Sequence, residues 1–109
     1  MRECLPNRRR AETFEFEAGP QLGSQIKYAA TLGFYPDGRL GEAFLRSGKS
    51  GTHINSLAIE VAIALSFALQ YGCPADVIRK ACPRTAEGEP ESVLGTLLDL
   101  LAESQQVAA

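Results

Sequence analysis

The hydrophobic period of this chain changes once, near residue 52, and that change restricts the fold more than any other feature. Before it, apolar residues alternate with polar ones. In "ETFEFE" (12–17) Phe14 and Phe16 alternate with Glu15 and Glu17, and from Gln25 to Tyr35 the residues Ile26, Tyr28, Ala30, Leu32 and Phe34 share one face. This period of two marks half-buried strands. "YPDGR" at 35–39 has turn chemistry, because proline presets φ and glycine tolerates a positive φ. "LGEAFLR" at 40–46 reads as the returning strand. The expectation is a three-stranded antiparallel meander.

Beyond residue 52 the spacing becomes three and four, through Ile54, Leu57, Val61, Leu65, Ala68 and Leu69. Ala58, Ile59, Ala62, Ile63 and Phe67 spread the apolar surface around most of the circumference. Such a segment predicts a long central core helix from near Thr52 to Tyr71, covered on nearly all sides. Thr52 or Ser50 can cap its start, and Gly72 can take the left-handed position at its end. "CPADVIRKAC" predicts a short helix with Pro74 in its first turn and Pro83 past its end. "PRTAEGEPE" reads as a polar loop and "SVLGTLLDLLAESQQ" as a last helix capped by Ser92. Three strands followed by three helices is the α+β pattern of segregated elements.

The 109 residues suffice for one domain, placed at 12–105 between a basic N-terminal arm at 1–11 and a frayed C-terminus at 106–109. A three-stranded sheet leaves one face and two edges for water or a partner, so Tyr35, Leu45 and the surplus apolar surface of the long helix are expected to serve an interface, with a homo-oligomer an open expectation.

Charge and cysteine content narrow the function classes. The formal net charge of −2 argues against a surface built throughout for nucleic acid. Arg8, Arg9 and Arg10 nevertheless give the arm a local positive charge, which reads either as a nucleic-acid contact or as a solvated tail. Cys4, Cys73 and Cys82 are odd in number and lack C-x-x-C pairing, and His53 is the one histidine. That pattern points to a reducing compartment and gives no expectation of a metal site or a cofactor. With no charged-then-apolar leader and no apolar run judged long enough for a bilayer, the expected location is the cytoplasm, with no membrane partner.

"SGKSGT" at 47–52 invites comparison with a phosphate-binding loop. The G-x-x-x-x-G-K-[ST] pattern requires glycine at position 43, which is Ala43. What remains is a glycine-flanked basic turn entering a helix. Ser47, Gly48, Lys49, Ser50, Gly51, Thr52 and His53 form a candidate anion or nucleotide site, with Lys49 as a point charge and the backbone N–H groups of residues 51–53 at a helix N-terminus. The alternative reading is a turn that joins strand to helix with Lys49 solvated. No catalytic residue emerges: His53 has no nucleophile or carboxylate partner by spacing, and Ser50 has no nucleophile-elbow context.

Taken together, "YPDGR", Glu42–Phe44 as E-x-F, "GKSG" at 48–51, "SFALQYGCP" and "VIRKA" resemble the TSCPD domain family. "LPNRR" at 5–9 and "TFEFE" are similar to its short stand-alone members, and the resemblance runs from about Leu5 to Leu101. That domain occurs at the C-terminus of adenosylcobalamin-dependent (class II) ribonucleotide reductases. The Thr-Ser-Cys-Pro-Asp pentapeptide that names it is absent here, and Ala81–Pro83 keeps only its Cys-Pro. No metal or redox role is therefore carried over, nor are the reductase's catalytic residues, which lie in a large barrel. The resemblance implies a link to deoxyribonucleotide synthesis and DNA replication, with a ribonucleotide reductase large subunit or a nucleotide as partner. The resulting expectation is an accessory or regulatory domain that does not catalyse reduction by itself. The alternatives are a structural homo-oligomeric module and a small phosphate- or nucleic-acid-binding protein.

Overall fold

The computed structural model describes residues 1–19, 26–48 and 52–108, the side chains of the last helix being described as far as residue 104. Three strands are followed by three helices: β1 (Ala11–Ala18), β2 (Ile26–Phe34), β3 (Leu40–Ser47), α1 (His53–Gln70), α2 (Ala75–Ala81) and α3 (Val93–Ala108). The strands form an antiparallel sheet in the order β1-β2-β3. This is the expected α+β meander with its helices segregated.

Register follows from the alternation. Phe14 lies opposite Ala30 and Ala30 opposite Leu45, while Phe16 lies opposite Tyr28 and Tyr28 opposite Ser47. That set makes the inner face, and α1 along β3 and α3 against β1 cover it. Leu97 and Leu98 of α3 and Ala58, Ala62, Leu65 and Leu69 of α1 complete one core with Leu32 and Phe34. The β2–β3 turn forms where Pro-Asp-Gly predicts it. Tyr35 C=O accepts from Gly38 N–H at 2.9 Å, Tyr35 N–H donates to Arg39 C=O at 2.9 Å, and Gly38 takes φ 94°. A type I turn closed by a left-handed glycine suits the twist of the flanking strands.

Helix α1 begins at a Thr52 cap, whose Oγ1 accepts from Asn55 N–H at 3.2 Å. It ends in a Schellman arrangement: Gly72 at φ 101° donates to Leu69 C=O, and Cys73 N–H donates to Ala68 C=O at 2.9 Å. Tyr35 and Leu45, expected at an interface, are instead buried inside the fold, and the expected cover of α1 on nearly all sides is not met. Five of its residues are buried, whereas Ile54, Leu57, Ile59, Ile63 and Phe67 are exposed. The cause is geometric: the helix flanks the edge strand β3, so a three-stranded sheet reaches one side of it only.

That edge is closed by side chains. Ser66 Oγ accepts from Ala43 N–H at 2.9 Å, Gln70 Nε2 donates to Gly41 C=O at 3.0 Å, and Asn55 Oδ1 accepts from Ser47 N–H at 2.9 Å. Three polar residues on an apolar helix thus blunt an edge that would otherwise invite strand pairing. They also qualify the reading of membrane segments from the sequence. By length and composition alone α1 could cross a bilayer, its mean hydropathy being 1.3, contrary to the expectation of no such run. Its polar residues instead bind it to the sheet.

Candidate functional site

The candidate turn lies where β3 hands over to α1. Lys49, Ser50 and Gly51 are outside the described residues. Around them, Ser47 is buried, Gly48 and His53 are exposed, and Thr52 is half-buried. Asn55 holds both flanks, accepting from Ser47 N–H through Oδ1 and donating its own N–H to Thr52 Oγ1. The first turn of α1 carries no acidic residue, so no side chain there offsets the positive end of the helix dipole. Sequence reasoning did not single out Asn55. Its signal was available: a polar residue three positions after a threonine cap, in a helix otherwise apolar.

The arginines of the N-terminal segment lie elsewhere. Arg9 Nε meets Glu42 Oε2 at 2.6 Å, and its guanidinium also reaches the Pro6 carbonyl. Arg10 places Cζ 4.1 Å from the Phe34 ring centroid, while its C=O accepts from Phe34 N–H. Arg8 is exposed. Glu42 and Ser47 are at opposite ends of β3, roughly 16 Å apart at strand rise. The fold therefore does not bring the arginines and the basic turn into one site. Upstream, Glu3 N–H donates to Gln70 C=O at 2.7 Å, and Tyr35 Oη donates to Glu3 C=O at 2.6 Å.

The outer face of the sheet carries Thr13, Glu15, Glu17, Lys27, Ala29, Thr31, Glu42, Phe44 and Arg46. Acids and bases are mixed on it, which disfavours a phosphate backbone as its ligand. Phe44 stands midway along the edge strand β3 on this face, 59% exposed. It shares a cross-strand row with Thr31 and Thr13, whose hydroxyls are 3.2 Å apart. A cleft of about 620 Å³ runs from Phe44 and Thr31 around β3 to Ile59 and Ile63, and among the described residues Arg46 is its one ionisable lining group. Its described lining offers no acid, general base or thiol for chemistry.

A second polar cluster ties the C-terminal elements together. Asp99 Oδ1 accepts from Arg79 Nε at 2.8 Å and from Arg84 at 2.7 Å, and its Oδ2 accepts from Arg84 at 2.9 Å. Hydrogen bonding from Arg84, reinforced by Arg79, holds the Asp99 carboxyl down at about 2 against the opposing effect of burial. Arg84 is in turn bridged to Pro90 in a small antiparallel turn inside the segment read as a polar loop. The three cysteines are unpaired, Cys4 exposed and the others half-buried, and burial raises the Cys82 thiol. Among the described residues no three His, Cys, Asp or Glu groups stand close enough to hold a metal.

Comparison with known proteins gives one consistent relationship. The chain is similar to proteins named vitamin B12-dependent ribonucleotide reductase. That of Rhodopirellula baltica is 39% identical over 77 residues, 71% of this chain and 7% of that protein. That of Bradyrhizobium diazoefficiens is 43% identical over 75 residues, 69% of this chain and 6% of that protein. That of Streptomyces coelicolor is 36% identical over 74 residues, 68% of this chain and 7% of that protein. The chain spans between 5% and 12% of the length of the curated relatives it matches. It is thus related to a short segment of those reductases. No protein-family model and no solved structure matches it.

Proposed function

We propose that this chain is a TSCPD-like accessory module of a B12-dependent ribonucleotide reductase, docking on the large chain through the outer sheet face around Phe44. It acts in the cytoplasm, in deoxyribonucleotide synthesis for DNA replication, and does not reduce ribonucleotides by itself. The observation that carries this reading is the exposed Phe44 on the edge strand of a mixed-charge sheet face that no described helix covers. An aromatic anchor within a polar surround is the composition of a non-obligate protein interface. Similarity to a segment of proteins named B12-dependent ribonucleotide reductase supports a reductase as the partner. Ribose reduction would require an enclosed site that excludes water around substrate and radical, whereas the cleft beside Phe44 is open and, among the described residues, its one ionisable group is an arginine.

The test is turnover. Supplied with adenosylcobalamin, reductant and ribonucleotide, the chain alone should give no deoxyribonucleotide. Added to a reductase lacking its own corresponding segment, it should change that enzyme's rate. Turnover by the chain alone would overturn the reading.

A second reading is favoured by the uncompensated start of α1. On it, the turn Ser47–His53 binds a nucleotide phosphate, with Lys49 as the charged contact and no cofactor or metal involved. Lys49→Ala should then weaken nucleotide binding by roughly 1–3 kcal/mol, the scale of a charge-assisted hydrogen bond. Equal binding by both proteins would remove this reading and leave the turn as a structural junction.

A further inference from the structure

We propose that two copies of this chain associate through the outer stripe of α1, formed by Ile59, Ile63 and Phe67, about a two-fold axis at Ile63. Ile59 and Ile63 border the cleft that reaches Phe44, but this pairing does not rest on the reductase reading. Its members stand four residues apart and so share one helix face. Ile63 is 51% exposed and Phe67 49%. The core contact of α1 lies elsewhere, on Ala58, Ala62, Leu65 and Leu69, and Asn55, Ser66 and Gln70 are committed to the edge of β3. The stripe therefore faces outward beyond the sheet edge, and no described element packs over it.

Charge selects a second copy as the occupant. Apart from His53, Glu60 is the one ionisable side chain on α1, and it lies beside the stripe toward its N-terminal end. At the other end Arg2 is laid over Phe67, with Cζ 5.3 Å from the ring centroid and Nε held by Gln70 Oε1 at 2.5 Å. Reversing a second α1 about Ile63 sets Ile63 against itself and Ile59 toward Phe67 of the second copy. Glu60 then comes beside Phe67 of the second copy, where that copy's Arg2 lies. The pairing is reciprocal, as a two-fold interface requires, and each copy contributes one acid and one base. Parallel packing would instead set Glu60 against Glu60.

Composition agrees with this assignment. The stripe is wholly apolar, as self-association interfaces tend to be, in contrast to the mixed-charge face around Phe44. Two such stripes with their flanks bury a total on the order of 1,000 Å², near the lower limit for a specific interface. Self-association at micromolar concentration is therefore the expected strength.

Sedimentation equilibrium of the full chain across micromolar concentrations tests the proposal. The expected result is a monomer–dimer equilibrium. Ile63→Asp sets two carboxylates against each other at the axis and should raise the dissociation constant about tenfold or more. Leu57→Asp, on the other flank of α1, should leave it unchanged. Glu60→Arg and Arg2→Glu should each weaken the dimer, and the double variant should recover it. That recovery reads the specific pair even where Ile63→Asp fails to fold. A monomer at every concentration, a dimer indifferent to a folded Ile63→Asp variant, or no recovery in the double variant would overturn the proposal. So would a protein that stays monomeric and loses reductase binding on Ile63→Asp, since the stripe would then belong to the reductase.

Discussion

Replacing Asp99 by asparagine should destabilise the protein by about 2 kcal/mol at neutral pH, and the loss should fade in acid, because a neutral amide forfeits charge-assisted bonds. Asp99 takes Arg79 from α2 and Arg84 from the following turn, so a single carboxylate fastens both to α3. Its carboxyl is lowered from 3.8 to about 2, with Arg84 the main cause. A shift of that size corresponds to a ceiling of roughly 2.4 kcal/mol at 1.36 kcal/mol per pH unit. The two arginine side chains remain about 30% exposed, so solvent screening brings the expectation to roughly 1.5–2 kcal/mol. The sign follows from the folded value lying below the unfolded one. The stabilisation is complete above about pH 4 and is lost as pH falls toward 2. Thermal unfolding across pH reads both parts. At pH 7 the Asp99→Asn variant should melt roughly 6–12 °C lower, from the usual entropy of unfolding for a domain of this size. Below pH 2 the two proteins should melt together. An equal gap at pH 2 and pH 7 would refute the electrostatic account and leave a packing effect.

Ser66→Ala removes the hydroxyl that accepts from Ala43 N–H; it should cost about 1–2 kcal/mol, with faster hydrogen exchange at the Ala43 amide. At Gly33 an added Cβ would clash with the Glu42 side chain, at Oε2 and Cγ. Gly33→Ala should therefore push Glu42 away from Arg9 and cost about 1 kcal/mol in chemical denaturation, the scale of a partly exposed ion pair. Because burial raises the Cys82 thiol while Cys4 is exposed, a thiol reagent at neutral pH should label Cys4 first and Cys82 last, as read by mass spectrometry.

What was legible in the sequence is what each element states about itself. Phe14 and Phe16, or Tyr28 and Leu32, reveal the inner face because a strand's pattern repeats every two residues. Pro36-Asp37-Gly38 and Gly72 name their own backbone conformations. The apolar circumference of α1 was legible too, but not which part of it the sheet would reach. That depends on where the helix settles beside β3, and Asn55, Ser66 and Gln70 decide it through partners 8 to 29 residues away. Asp99 was likewise silent in the sequence, since its arginines come from other elements. The N-terminal segment read as a basic arm, yet its backbone meets Gln70 and Tyr35 across the fold. The candidate anion turn stands as the sequence presented it, with Lys49, Ser50 and Gly51 outside the described residues.

The central claim is that the Phe44 face docks on a reductase. Isothermal titration of the chain into the catalytic portion of a B12-dependent ribonucleotide reductase from its own organism tests it most directly. Saturable binding is expected, weakened about tenfold or more by Phe44→Ser, the loss typical of an aromatic anchor. An absence of binding, or equal affinity for the natural chain and the Phe44→Ser variant, would contradict the claim.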